Sequence, residues 1–190
     1  LNDLLSLPHC GNDMQNSLSA LLHFRLESDQ KRCAAAGLLL WKHIYNKHPE
    51  RFTVSYNAAG KPSVANAPFF NLSHSNDFVM LAVSDTPVGC DIEKLHKTVL
   101  SHHVFHPNEL DALSNLPLGD IQNHEFLRLW TAKEAFLKAI GTGIDAKASS
   151  YDFSKSNTIS LYDGSFWKLE HHTVCDFPDY LSCVCYKCLQ

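Results

Sequence analysis

The sequence predicts an α+β protein of two halves that meet near residues 85–90. Two segments carry apolar residues at helical recurrence, and short alternating runs bounded by turn residues follow each of them. The order along the chain is thus helix, strands, turn, helix, strands, the second half repeating the first loosely and without any fixed-period repeat.

In chain order, residues 28–48 read as a helix. Ser28 or Asp29 supplies an N-cap oxygen, Leu38, Leu39, Trp41, Ile44 and Tyr45 form the apolar side, and Pro49 ends it. Residues 52–56 alternate like a strand, and Gly60-Lys61-Pro62 makes a turn. The runs 69–72 and 78–84 read as neighbouring strands joined across 74–77. Asp85-Thr86-Pro87 turns the chain into a further strand at 88–95. Pro107 opens a helix over 107–116. A second helix spans 126–140, its buried face drawn from Phe126, Leu129, Trp130, Ala132, Phe136, Leu137 and Ile140, with Gly141 as its stop. Candidate strands follow at 151–153, 158–162, 166–171 and 180–186. The expected halves are residues 1–86 and 87–190.

Composition narrows the class. The chain has 190 residues, 45% hydrophobic and 19% charged, which argues against disorder and against a fibrous repeat. A formal charge of −4 is not that of a nucleic-acid binder. No apolar run approaches the roughly 20 residues of a membrane span. Leu1-Asn2-Asp3 lacks the basic region of a signal peptide, and the missing Met reads as a trimmed start. Seven cysteines, an odd number, suit reduced thiols in a cytoplasm better than a disulfide framework.

Three constellations hold chemistry. In Val88-Gly89-Cys90-Asp91-Ile92-Glu93, residues two apart on a strand share a side, so Asp91 and Glu93 pair their carboxylates while Cys90 and Ile92 face the core. A hard divalent cation such as Mg²⁺ would stabilise that pair; a solvated strand edge with two acids would look the same. In Trp130-Thr131-Ala132-Lys133-Glu134-Ala135-Phe136-Leu137-Lys138, Glu134 and Lys138 lie one helical turn apart. They form either a surface ion pair or a carboxylate and a cation aimed at an anionic substrate. In Phe69-Phe70-Asn71-Leu72-Ser73-His74-Ser75, hydroxyls, an imidazole and free amides close a strand, a set that suits phosphate oxygens or else caps a turn. Arg32 and Lys61 would add positive charge nearby, or stand solvated.

Together, FNLSHS, VGCDIE and WTAKEAFLKAIGTG resemble the 4′-phosphopantetheinyl transferases, and in particular their longer, surfactin-synthetase-activating type. The resemblance runs from residue 69 to 143, and GKP with the Arg-bearing helix extends it to 29–62. Cys90 departs from the Val or Ile usual in the family, a place where a small buried thiol fits. The resemblance implies transfer of the phosphopantetheine arm of coenzyme A to a serine of an apo acyl or peptidyl carrier protein, with release of 3′,5′-ADP. It implies Asp91, Glu93 and Glu134 as ligands of Mg²⁺ (or Mn²⁺), with Asp91, Glu134 and Lys138 as the catalytic set. It further implies His74, Ser73, Lys61 and Arg32 as coenzyme A contacts. The longer type resembles a fused pseudo-dimer with one site between its halves, so the expectation is a cytoplasmic monomer. Two other readings use the same residues: a coenzyme A-binding regulatory module without transfer, and a Mg²⁺-dependent hydrolase of nucleotide diphosphates. Cys183-x-Cys185-x-x-Cys188 also raises a structural zinc, but it supplies three ligands where four are wanted.

Overall fold

A computed structural model gives the fold and describes residues 27–47, 54–95, 103–144, 147–174 and 176–189. Helix α1 spans Glu27–His43 and leads into a 3₁₀ turn at Tyr45–Lys47. Four strands follow: β1 Val54–Tyr56, β2 Pro62–Val64, β3 Phe69–Ser75 and β4 Phe78–Ser84. Then come β5 Val88–Lys94, helices α2 Pro107–Ser114 and α3 Asp120–Ile140, a 3₁₀ turn at Ala148–Ser150, and β6 Thr158–Ser160, β7 Phe166–Val174 and β8 Phe177–Lys187. This is the mixed helix-and-sheet architecture expected. The expected helix end at 48–49 and strand start at 52–53 lie outside the described residues, as do positions 1–26.

The strands divide into two antiparallel hairpins, β1–β2 and β3–β4, and one antiparallel sheet in the order β5-β8-β7-β6. Helix α3 lies across that sheet. Leu129, Ala132, Phe136 and Leu137 pack with Trp167, Leu169, Cys183 and Cys185 in the largest apolar cluster. Gly89 lets β5 touch the helix backbone: a Cβ there would overlap Ala135 O and Ala139 N and come within 2.9 Å of Ala139 Cα. No side chain fits. Among the described residues, no helix is long and apolar enough to cross a membrane.

Several boundaries differ from the sequence expectation for identifiable reasons. Strand β3 continues through Ser75, because its polar residues do not close the strand but pair sideways with β5. Asn71 Oδ1 accepts from Cys90 N at 2.9 Å, Ser73 Oγ from Ile92 N at 3.4 Å, and Ser75 Oγ from Lys94 N at 3.1 Å. Alternate side chains of β3 thus satisfy alternate amides on the free edge of β5, joining hairpin and sheet without a backbone ladder. Pro62, read as part of a turn, opens β2, where it stands opposite Tyr56 at the end of a two-stranded pairing.

Helix α3 begins at Asp120, earlier than the apolar pattern shows, since its first turns are polar and held to α2 through Gln122 Nε2, which donates to Leu113 O at 2.9 Å. Residues 151–153 are not a strand. Their backbone is satisfied by buried charges instead: Tyr151 O accepts from Lys133 Nζ at 2.5 Å, and Phe153 N donates to Glu109 Oε1 at 2.8 Å. Lys133 and Glu109 themselves pair at 2.9 Å with 1% and 0% of their side chains exposed. Lys133 also donates to Ala148 O at 3.1 Å, and Glu109 Oε2 accepts from His106 N at 2.8 Å.

Candidate active site

The β3–β5 seam positions the acids. Asp91 is 2% exposed, and its Oδ1 accepts from Ser73 Oγ at 2.8 Å. Two residues on, Glu93 Oε2 accepts from Ser75 Oγ at 2.9 Å, so both carboxylates point to the β3 side of their strand, as the spacing predicts. Cys90 and Ile92 are buried, at 0% and 4% exposure. Asp91 is therefore not a solvated edge residue.

Helix α3 closes the arrangement. Lys138 Nζ lies 2.6 Å from Asp91 Oδ1, 3.2 Å from Ser73 Oγ and 3.9 Å from Glu134 Oε2. A strand acid and a helix acid thus meet on one ammonium. Burial pushes the Asp91 carboxyl above its ordinary range, although Lys138 and Ser73 pull it back. Glu134 is raised first by burial and then by Asp91 and Glu93, against the opposing pull of Lys138. Burial works to lower Lys138, but Asp91, with Glu134 and Cys90 adding to it, outweighs the burial and holds the ammonium above its usual value.

The Ser73 hydroxyl has one proton and two lone pairs, and all three are engaged, by Asp91, Ile92 N and Lys138. That hydroxyl orients Asp91 and leaves nothing over for a phosphate as it stands. His74, on the alternate position, turns away from β5 and is exposed. Arg32 lies at the same end of the hairpin: Nη1 donates to Asn76 O at 3.0 Å, and Nη2 bonds Asp29 Oδ1. Lys61, expected at a phosphate, instead donates to two backbone carbonyls, Val88 O at 2.9 Å and Ala139 O at 3.0 Å. The structure therefore gathers Asp91, Glu93, Glu134, Lys138 and Ser73, with His74 and Arg32 at the hairpin tip and Lys61 behind the β5–α3 junction.

Sequence reasoning missed Ser75 as the partner of Glu93 and Asn71 as the clamp on Cys90. Their two-residue spacing, matching that of Asp91 and Glu93, was the available signal. Two surface hollows of about 520 and 430 Å³ open elsewhere, around Leu116, Ile121 and His124 and around Thr86, Ser165 and Lys187. Neither is lined by the acids.

Among the described residues, no three acids, histidines or cysteines are drawn together closely enough to hold a metal as they stand. The acids nevertheless fit a hard divalent cation. The donors are all oxygens, and Asp91 Oδ2 is a buried carboxylate oxygen with no hydrogen-bond partner among the described residues. The cysteine tail fits no zinc: Cys183 and Cys185 are core residues at 0% exposure, and burial pushes the Cys185 thiol up to about 12 and Cys183 higher still, away from the thiolate a metal needs.

Residues 87–185, which carry β5, α3 and the rest of the four-stranded sheet, match the family model described as the 4′-phosphopantetheinyl transferase superfamily. The chain belongs to that superfamily. It is 32% identical over 152 residues to 4′-phosphopantetheinyl transferase gsp of Aneurinibacillus migulanus, covering 77% of this chain and 64% of the relative. It is 36% identical over 141 residues to 4′-phosphopantetheinyl transferase psf-1 of Bacillus pumilus, covering 70% and 60%. A third relative, 4′-phosphopantetheinyl transferase AcpT of Escherichia coli K12, is 39% identical over 116 residues, 56% of each chain. The chain thus spans somewhat less than two thirds of the length of these relatives.

Proposed function

We propose that the protein transfers the 4′-phosphopantetheine arm of coenzyme A to a serine of an apo acyl or peptidyl carrier protein and releases 3′,5′-ADP. The observation that carries this reading is the convergence of Asp91 and Glu134 on the Lys138 ammonium, within the stretch matched to the superfamily. Phosphoryl transfer depends on positioning and on offsetting charge at the phosphoryl oxygens, and a cation flanked by two acids serves both.

In the proposed reaction the carrier serine Oγ bonds to the phosphorus that bears the pantetheine arm. The bond from that phosphorus to the ADP oxygen breaks, and its electron pair leaves with 3′,5′-ADP. Glu134, 17% exposed and beside Lys138, accepts the serine proton. Lys138 offsets charge on the diphosphate as the leaving oxygen gains it. Ser73 and Ser75 hold Asp91 and Glu93 in their rotamers. Asp91, Glu93 and Glu134 would hold Mg²⁺ or Mn²⁺, which, when bound, supplies charge neutralisation across the diphosphate. His74 and Arg32 at the hairpin tip are our candidates for contacts to the remainder of coenzyme A.

We also read the chain as a cytoplasmic monomer built as a pseudo-dimer of halves 1–86 and 87–190, with one site in the cleft. The division of strands supports the boundary, since β1–β4 form separate hairpins and β5–β8 form one sheet.

The test is incubation with coenzyme A, Mg²⁺ and several apo carrier proteins, followed by intact mass measurement. The expected result is a carrier heavier by one phosphopantetheine arm, with one 3′,5′-ADP released per arm. Release of 3′,5′-ADP without a mass gain would indicate the hydrolase, and binding without any conversion would indicate the regulatory module.

A further inference from the structure

We infer that Lys61 is a positioning residue that locks β5 against α3, and not a ligand of a coenzyme A phosphate. This rests on the transferase reading above. The ammonium of Lys61 is half-buried and donates to Val88 O on β5 and to Ala139 O on α3. Val88 opens the strand that carries Asp91, and Ala139 follows Lys138 directly. One side chain from the β1–β2 hairpin therefore fixes both elements that supply the site.

The rest of that turn acts in the same direction. Asn57 Oδ1 accepts from Ala59 N at 3.0 Å and Lys61 N at 2.8 Å, which shapes the loop. Asn57 Nδ2 donates to Gly141 O at 2.9 Å, so the turn covers two of the carbonyls that α3 leaves open at its C-terminus. A cation at that end also complements the helix dipole. Next along β5, Gly89 lets the strand approach the helix until backbone meets backbone. The junction is thus packed tightly at Gly89 and tied by Lys61 at Val88 O and Ala139 O.

This geometry separates two roles that the sequence motif leaves merged. A phosphate ligand presents its ammonium to the substrate, so its loss weakens coenzyme A binding. A clamp presents its ammonium to the protein backbone. Its loss lets Lys138 and Glu134 drift relative to Asp91, and a displacement near 1 Å costs about 100-fold in rate. Desolvation lowers the Lys61 pKa, in keeping with an ammonium held among backbone groups and away from water.

The experiment is steady-state kinetics of Lys61→Met with coenzyme A varied, run well below the variant's Tm, beside a thermal melt. The expected result is a kcat lower by about 10- to 100-fold, with KM for coenzyme A within about twofold of wild type. A KM raised about tenfold or more with kcat retained would make Lys61 a phosphate ligand and overturn the inference. Both constants unchanged with only Tm lowered would also overturn it, by reducing the contact to a structural one. If Lys61→Met does not fold, Lys61→Gln keeps an uncharged NH₂ donor group and is read in the same way. Failure of both to fold counts against a positioning role. Wild-type protein in the same assay guards the underlying reading: if it attaches no arm, the transferase proposal fails, whereas a working wild type leaves Lys61 to be decided by the kcat and KM split.

Discussion

Lys133→Met is expected to lower stability by about 3–5 kcal/mol, because it leaves the Glu109 carboxylate buried without its counter-charge. Exposure of 1% and 0% leaves neither partner a route to water. The loss also removes the donor to Tyr151 O and to Ala148 O, the latter keeping only the long 3.5 Å bond from Tyr151 N. Glu109→Leu should cost a similar amount, since it leaves the Lys133 ammonium without its carboxylate and His106 N and Phe153 N without acceptors. The double variant is expected to lose clearly less than the sum, because neither charge then remains buried alone. Urea unfolding of the three variants checks this. Single losses below about 1 kcal/mol, or strict additivity, would show that the pair is not coupled as the contacts indicate.

Asp91→Asn is expected to keep the fold and lower transfer by about 10²–10³-fold. Asparagine matches aspartate in shape, and its amide oxygen can still accept from Ser73. The negative charge facing Lys138 is lost, and so is the buried oxygen that has no partner among the described residues. An NH₂ placed at that unpartnered position adds a donor without an acceptor, so a stability loss of about 1–3 kcal/mol should accompany the change. Rates from intact carrier mass, with circular dichroism as the fold control, separate the two effects. Wild-type turnover in Asp91→Asn would remove Asp91 from the catalytic set.

The sequence revealed the parts of the site that depend on local spacing. Asp91 and Glu93 two apart on a strand, and Glu134 and Lys138 one turn apart on a helix, each define a shared face wherever the element lies. That Lys138 pairs with Asp91 as well as with Glu134 is set by how α3 crosses β5, a long-range fact that Gly89 permits and that spacing does not encode. The Asn71, Ser73, Ser75 series had a readable period but an ambiguous partner. Polar side chains closing an apolar strand suit a phosphate, a turn or a neighbouring edge, and the edge of β5 took them.

Residues 151–153 misled because Tyr and Phe favour strands, while their backbone groups were claimed by Lys133 and Glu109. Lys133 itself was legible in hindsight: it shares the helical recurrence of Leu129, Phe136, Leu137 and Ile140, and a lysine on that face requires a buried acid. The identity of that acid was not legible, since Glu109 lies on a separate helix. Lys61 shows the same limit, a cation whose charge was visible in the sequence and whose acceptors, Val88 O and Ala139 O, were not.

The most direct measurement is anomalous diffraction from crystals grown with coenzyme A and Mn²⁺. The expected result is a single anomalous peak bonded to carboxylate oxygens of both Asp91 and Glu134, next to the diphosphate of the coenzyme. An ion bound elsewhere, or held by Asp91 while Glu134 faces away from it, would contradict a site shared between strand and helix.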